Sequence, residues 1–117
     1  MTEPPAPRRE LERIRDGDGP GADQARIALS AGDTTDRLRA AILALVTARA
    51  ANSSACPSDA ARAVADDWRP LLPQARELAR ELARTGSVRL TQRNRQLDPD
   101  GAWQGPIRIR PSRSADD

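Results

Sequence analysis

Cys56 is the only cysteine of this chain, and it stands where a helix should begin, in Cys56-Pro57-Ser58-Asp59. A catalytic thiol needs a base beside it. The chain has no His, Lys or Tyr, which leaves only carboxylates such as Asp59. Cys56 therefore reads as a capping or half-buried thiol. One Cys without His cannot make a zinc site either. Asp66-Asp67 precede a helical pattern and read as caps rather than as a catalytic carboxylate pair. The run Asp16-Gly17-Asp18-Gly19-Pro20-Gly21 follows no strand and lacks the spacing of a phosphate-binding loop. These residues specify no catalytic group, metal or cofactor, and the chain is expected not to be an enzyme.

The remaining chemistry belongs to arginine, which supplies all 19 cationic side chains. Arg binds phosphate in a bidentate way that Lys cannot match. The net charge is only +2, but it is unevenly placed. Residues 1–32 hold five Arg against six acids, whereas residues 76–113 hold nine Arg against four acids, a local excess of +5. Such asymmetry favours an anionic partner. Arg76, Arg80 and Arg84 recur at i, i+4 spacing on one helical pattern, and Arg93 and Arg95 fall in a turn between two strand patterns. These five are the candidate nucleic-acid contacts. The competing reading is a solvated surface, since Glu77 and Glu81 lie at ion-pairing distance in sequence from the helix arginines.

Three helices and a ribbon must position these groups. Leu38, Ile42, Leu45 and Val46 recur at helical spacing and place a first helix over about 35–49, capped by Asp33 or Thr34. Pro57 at a first helical position, with Cys56 as cap and Asp59 at the third position, starts a second helix ending near Ala65. A third follows Asp66-Asp67 and carries Trp68, Leu71 or Leu72, Ala75, Leu78, Ala79 and Leu82. Pro73 either kinks it or marks its real start, and Gly86 stops it. Ser87–Thr91 and Ile107–Arg110 alternate apolar and polar residues as half-buried strands do. Paired antiparallel, they turn Val88, Leu90, Ile107 and Ile109 toward the helices and leave Arg89, Arg108 and Arg110 outside. The expected fold is α+β and winged helix-turn-helix-like: three helices plus a two-stranded antiparallel ribbon over residues 33–111.

Residues 1–32, rich in Pro, Gly, Asp and Arg, read as a flexible arm. Within it, Arg8 to Arg15 suits a short helix, with Leu11 and Ile14 on the side that would dock. Residues 112–117 read as a disordered tail. Trp68 and Trp103 are the only aromatic residues, so the core must come from Leu, Ile, Val and Ala. Trp68 reads as a core anchor, and Trp103 either covers the core or serves as a contact. A core this thin makes a homodimer a realistic partner arrangement. The lone cysteine and a start without a basic-then-apolar leader suit a cytoplasmic protein. The longest apolar stretch, Ala40–Val46, is too short to cross a membrane.

The segment from Leu38 to Arg110 resembles a bacterial family of small proteins, the domain of unknown function 3253. The matching residues are Cys56-Pro57-Ser58-Asp59 with Ala61-Arg62, then Trp68-Arg69 with Leu72, Arg76 and Leu82, then Gly86. The match continues through Thr91-Gln92, Asp98-Pro99 and Gly105-Pro106-Ile107-Arg108. The resemblance implies a winged-helix-like α+β domain and brings no activity, substrate or binding residue. Asn94 stands where family members tend to carry Gly at the turn, and Asn tolerates the left-handed conformation needed there. The functional expectation is a non-catalytic domain binding DNA or RNA through the exposed arginines. The alternative is a protein–protein interaction domain that uses the arm or Trp103.

Overall fold

Asp33 caps the longest helix, its carboxylate accepting from the Thr35 and Asp36 amides. This helix is third in the chain, because the segment before it is also helical. The computed structural model describes residues 6–49 and 54–112. Their order is α1 (Ala6–Asp16), α2 (Ala22–Ala28), α3 (Thr34–Ala48), α4 (Pro57–Val64), a 3₁₀ turn (Arg69–Leu71) and α5 (Leu72–Arg84). The strands β1 (Val88–Gln92), β2 (Arg95–Gln96) and β3 (Arg108–Pro111) follow. The architecture is α+β.

The expected flexible arm is, over its described residues, two packed helices. Leu11 of α1 is fully buried, as are Ala25 and Ala28 of α2. The Gly-rich run forms the turns between them, with Gly21 left-handed at φ 88° as the cap of α2. A Cβ at Gly21 would lie 3.1 Å from the Ala44 carbonyl oxygen of α3, so glycine lets the two backbones approach closely. Ala22, Ala25 and Ala28 share one side of α2, which packs on α3, where Ala40, Ala41 and Ala44 are buried. A seven-residue helix is far below the length that is stable alone in water. Tertiary packing is therefore what holds α2.

Arg49, at the end of α3, fixes α1 to the rest. Its guanidinium donates to both Glu10 carboxylate oxygens at 2.8 and 2.7 Å, to the Ser54 carbonyl at 2.8 Å and to Asp59 Oδ2 at 3.2 Å. Asp59 Oδ2 also accepts from the Cys56 amide, the capping arrangement expected at the start of α4. Two carboxylates around one half-buried guanidinium hold the Arg49 pKa well above its ordinary value, the Glu10 hydrogen bonds contributing most. Arg37 closes two helix C-termini by donating to the Ala28 and Val64 carbonyls, and Arg8 donates to the Ala63 carbonyl.

Pro73 marks the start of α5 rather than a kink, with the 3₁₀ turn leading in from Trp68. At the other end, Gly86 is left-handed at φ 80°. The Ser87 amide bonds to the Leu82 carbonyl and the Gly86 amide to that of Ala83, the Schellman pattern. The chain then enters a three-stranded antiparallel sheet of order β2-β1-β3, one strand more than the ribbon expected. Leu90 pairs with Ile109 and Arg89 with Arg110. Val88, Leu90, Ile107 and Ile109 are all buried, toward α3 and α5. On its far side β3 bridges to Ala55, between α3 and α4. Helix, bridge strand, helix, helix, hairpin is the connectivity of a winged helix. The domain is winged-helix-like, with α1 and α2 added to its α3 side.

Candidate functional site

The five candidate arginines divide into two groups. Arg76, Arg80 and Arg84 grip the loop at 98–105. Arg80 donates to the Pro99 carbonyl and, at 3.0 Å, to that of Gly101, and its Nε reaches Glu77 at 3.2 Å. Arg84 pairs with Asp100 at 2.5 Å, and Arg76 donates to the Gly105 carbonyl at 3.2 Å. The Trp103 ring lies under two of these side chains, 4.3 Å from the Arg80 guanidinium carbon and 5.2 Å from that of Arg76. Its indole N–H donates to the Asp98 carbonyl at 2.9 Å. Arg80 is only 18% exposed as a result.

This clasp changes the electrostatics of α5. Pro73, Glu77, Glu81 and Arg84 are its exposed positions. A helix that enters the major groove must bring positive charge to the phosphates, and the middle of this stripe is acidic. The i, i+4 spacing of the arginines was legible. So was the Glu77–Arg80 pair, but the Pro99, Gly101 and Gly105 acceptors were not, because no side-chain pattern announces a main-chain carbonyl.

Arg93 and Arg95 behave differently. Both are exposed, and neither side chain makes a hydrogen bond or ion pair among the described residues. Arg93 and Asn94 form the two-residue link between β1 and β2, with φ of 53° and 68°. Two successive left-handed residues define a type I′ turn, the tight hairpin link that matches strand twist. Asn94 is suited to that conformation. Arg93 carries a Cβ penalty in it.

The outer side of the sheet continues this basic surface. Arg89 donates to the Pro111 carbonyl at 3.1 Å and Arg110 to Thr91 Oγ1 at 3.0 Å. Arg108 is exposed and donates to Oγ and the carbonyl of Ser54, at 2.6 and 3.1 Å. Residues 86–97 and 105–112 hold Arg89, Arg93, Arg95, Arg108 and Arg110 and not one Asp or Glu. Sequence reasoning placed Arg89, Arg108 and Arg110 on the outer face but left them out of the site. The absence of acid from both strands was the signal that includes them.

Cys56 is half-buried, its Sγ 2.9 Å from Ser58 Oγ, beside a small cavity of about 210 Å³ that Leu72 and Ile107 also line. The neighbouring Asp59 carboxylate accepts from the Cys56 amide and from Arg49. Trp68 is half-buried beneath Arg69 at 4.6 Å and Arg62 at 5.9 Å. Among the described residues, no group of three or more His, Cys, Asp or Glu is placed to hold a metal. No described helix is long and apolar enough to cross a membrane.

A winged-helix-like domain whose wing loop is clasped by its third core helix, and whose sheet is uniformly basic, is the class that the fold and site define. The family described as protein of unknown function 3253 matches residues 35–112, and the chain belongs to that family. The match begins in α3 and ends just past β3, so α1, α2 and the junction between α2 and α3 lie before it. No curated protein matches the chain.

Proposed function

We propose that this domain is a non-catalytic nucleic-acid-binding module that meets phosphates with its sheet and wing tip rather than with α5. The observation that carries the reading is the five-arginine surface of residues 86–97 and 105–112, which hold β1, β2, β3 and the β1–β2 turn and contain no Asp or Glu. Arg93 and Arg95 are exposed at its tip and unspent on internal partners among the described residues. Uncompensated guanidiniums on a rigid hairpin suit a phosphate backbone, and such binding releases counterions and weakens steeply with salt. The protein-interaction alternative would use the arm or Trp103. Here α1 and α2 are packed into the domain, which takes the arm out of that role and favours the nucleic-acid reading.

The test is a salt titration of binding to labelled DNA and RNA, single-stranded and duplex, by the full chain. Measurable binding near about 50 mM salt is expected, falling as salt rises. Replacing both Arg93 and Arg95 by Ala should flatten the slope of log K against log salt by about 1.8 on duplex DNA, at roughly 0.9 per phosphate contact. Absence of binding, or a double variant with the parent slope, would sink the reading.

A further inference from the structure

Between the hairpin and the 101–106 loop lies an open groove of about 860 Å³, lined by Trp103, Leu97 and Pro106 and flanked by Arg93, Arg108 and Gln104. Its volume falls within the roughly 300–1,000 Å³ of small-molecule sites. It combines an aromatic ring and apolar surface with two guanidiniums, and no carboxylate lines it. Planar, uncharged ring plus anion is the ligand chemistry that such a surface complements. An unpaired nucleotide has that chemistry: a base to stack on Trp103 and phosphates for Arg93 and Arg108. Bases inside a duplex are already stacked on one another and would have to be extruded to stack on a ring that lines a groove.

The groove is also preformed. Its loop is held on one side by Arg76, Arg80 and Arg84, and by the Trp103 indole on Asp98. On the other side the Gln92 side-chain amide of β1 donates to the carbonyls of Gln104 and Pro106, at 2.5 and 3.0 Å. Gly105 sits at φ 83°, a conformation that a residue with a Cβ rarely adopts. A wall tied down from two sides loses little entropy on binding. The guanidinium of Arg80 over the indole fixes the ring's position without filling the groove that the ring lines.

From this geometry we infer that Trp103 is a stacking platform for an unpaired base, which makes the domain a binder of single-stranded nucleic acid in preference to duplex. The inference rests on the nucleic-acid reading above and names its substrate class. Clasp and platform then form one device: α5 spends its arginines on presenting Trp103, and the wing supplies the phosphate contacts.

The experiment uses the full chain carrying Trp68→Phe, so that Trp103 is the only tryptophan. The probes are a labelled DNA strand of about 12 nucleotides, within the roughly 4–16 nucleotide site sizes of single-strand binders, and the same sequence as duplex. The strand should bind more tightly than the duplex and quench Trp103 emission. Trp103→Leu should weaken strand binding by about 5- to 140-fold, the range for losing one stacked base, and move duplex binding by no more than about two-fold. Because Leu also releases the loop from α5, Trp103→Phe is measured alongside, and a retained ring should restore most of the affinity. Strand and duplex binding that depends on Arg93 and Arg95 but is indifferent to Trp103, without quenching, overturns the platform and leaves the phosphate-binding reading standing. Binding of neither probe overturns both.

Discussion

Arg93 should stabilise the free protein when it is removed and weaken nucleic-acid binding at the same time. At φ 53° it occupies the first left-handed position of the type I′ turn. That conformation costs an ordinary L-residue roughly 1–2 kcal/mol. Arg93→Gly removes this cost and adds back about 0.5–1 kcal/mol of unfolded-state entropy. The expected net gain is about 0.5–1 kcal/mol, which should raise Tm by about 2–6 °C in a domain of this size. Arg95 is the matched control. It lies two residues on, in β2, at a position paired with Gln92, where Gly should destabilise by about 0.5–1 kcal/mol. Both variants lose one exposed positive charge from the same tip. Each should therefore flatten the salt dependence of binding by about 0.9 on duplex DNA, or about 0.7 on a single strand. Thermal unfolding followed by circular dichroism and a fluorescence-anisotropy salt series measure the two quantities separately. A stability change of the same sign in both variants would refute the turn assignment. Unchanged salt slopes in both would refute the phosphate-contact argument, whatever the stabilities do.

Leu11 is fully buried in α1, so Leu11→Ala should cost about 2–4 kcal/mol in urea unfolding; a loss under about 0.5 kcal/mol would mean that α1 is not part of the cooperative unit. Glu10→Gln and Arg49→Met should each destabilise. Their double-mutant cycle should return a coupling of about 1–3 kcal/mol, because the bidentate pair is only 21–25% exposed; additive effects would sever the proposed tie between α1 and the α3–α4 junction. Arg80→Ala removes the donor to Pro99 and Gly101 and one cation over Trp103. Limited proteolysis should then cut within residues 98–105 faster than in the parent while α3 stays protected, and an unchanged cleavage rate would show that the clasp does not hold the loop.

The elements with strong local signals were legible. Asp33, the Cys56-Pro57-Ser58-Asp59 cap, Gly86 and the alternation of Val88, Leu90, Ile107 and Ile109 are decided by backbone chemistry within a few residues. Leu11 and Ile14 even announced the docking side of α1. The rest was hidden for two physical reasons. The first is that alanine buries little area, so the stripe Ala22, Ala25, Ala28 gives a weak periodic signal although it defines a close helix–helix contact. Its glycine neighbours looked like a linker because close approach and flexibility both call for glycine. The second is that β2 has two residues and exists only because Arg93-Asn94 reverse the chain. An Arg at a left-handed position is a poor sequence signal for such a turn.

Arginine density alone does not separate structural from available charge in this chain. In a chain without lysine or histidine, arginine performs every cationic task. Seven of the described arginines donate to main-chain carbonyls: Arg8, Arg37, Arg49, Arg76, Arg80, Arg89 and Arg108. A guanidinium has five donors in a fixed fork, so it can close a helix C-terminus or hold a loop while still facing solvent. The count of arginines on α5 therefore says little about phosphate. What separates structural from available charge is the local acid. Near α5, Glu77 and Asp100 accept from Arg80 and Arg84, and the exposed stripe is left with Glu77 and Glu81 at its centre. The described stretches 86–97 and 105–112 that carry the sheet contain no Asp or Glu. A surface that keeps its arginines apart from carboxylates retains the field that an anion feels, even where single side chains also bond to the backbone. By that criterion the wing and sheet, not the helix, are where this domain's positive potential is available to a partner.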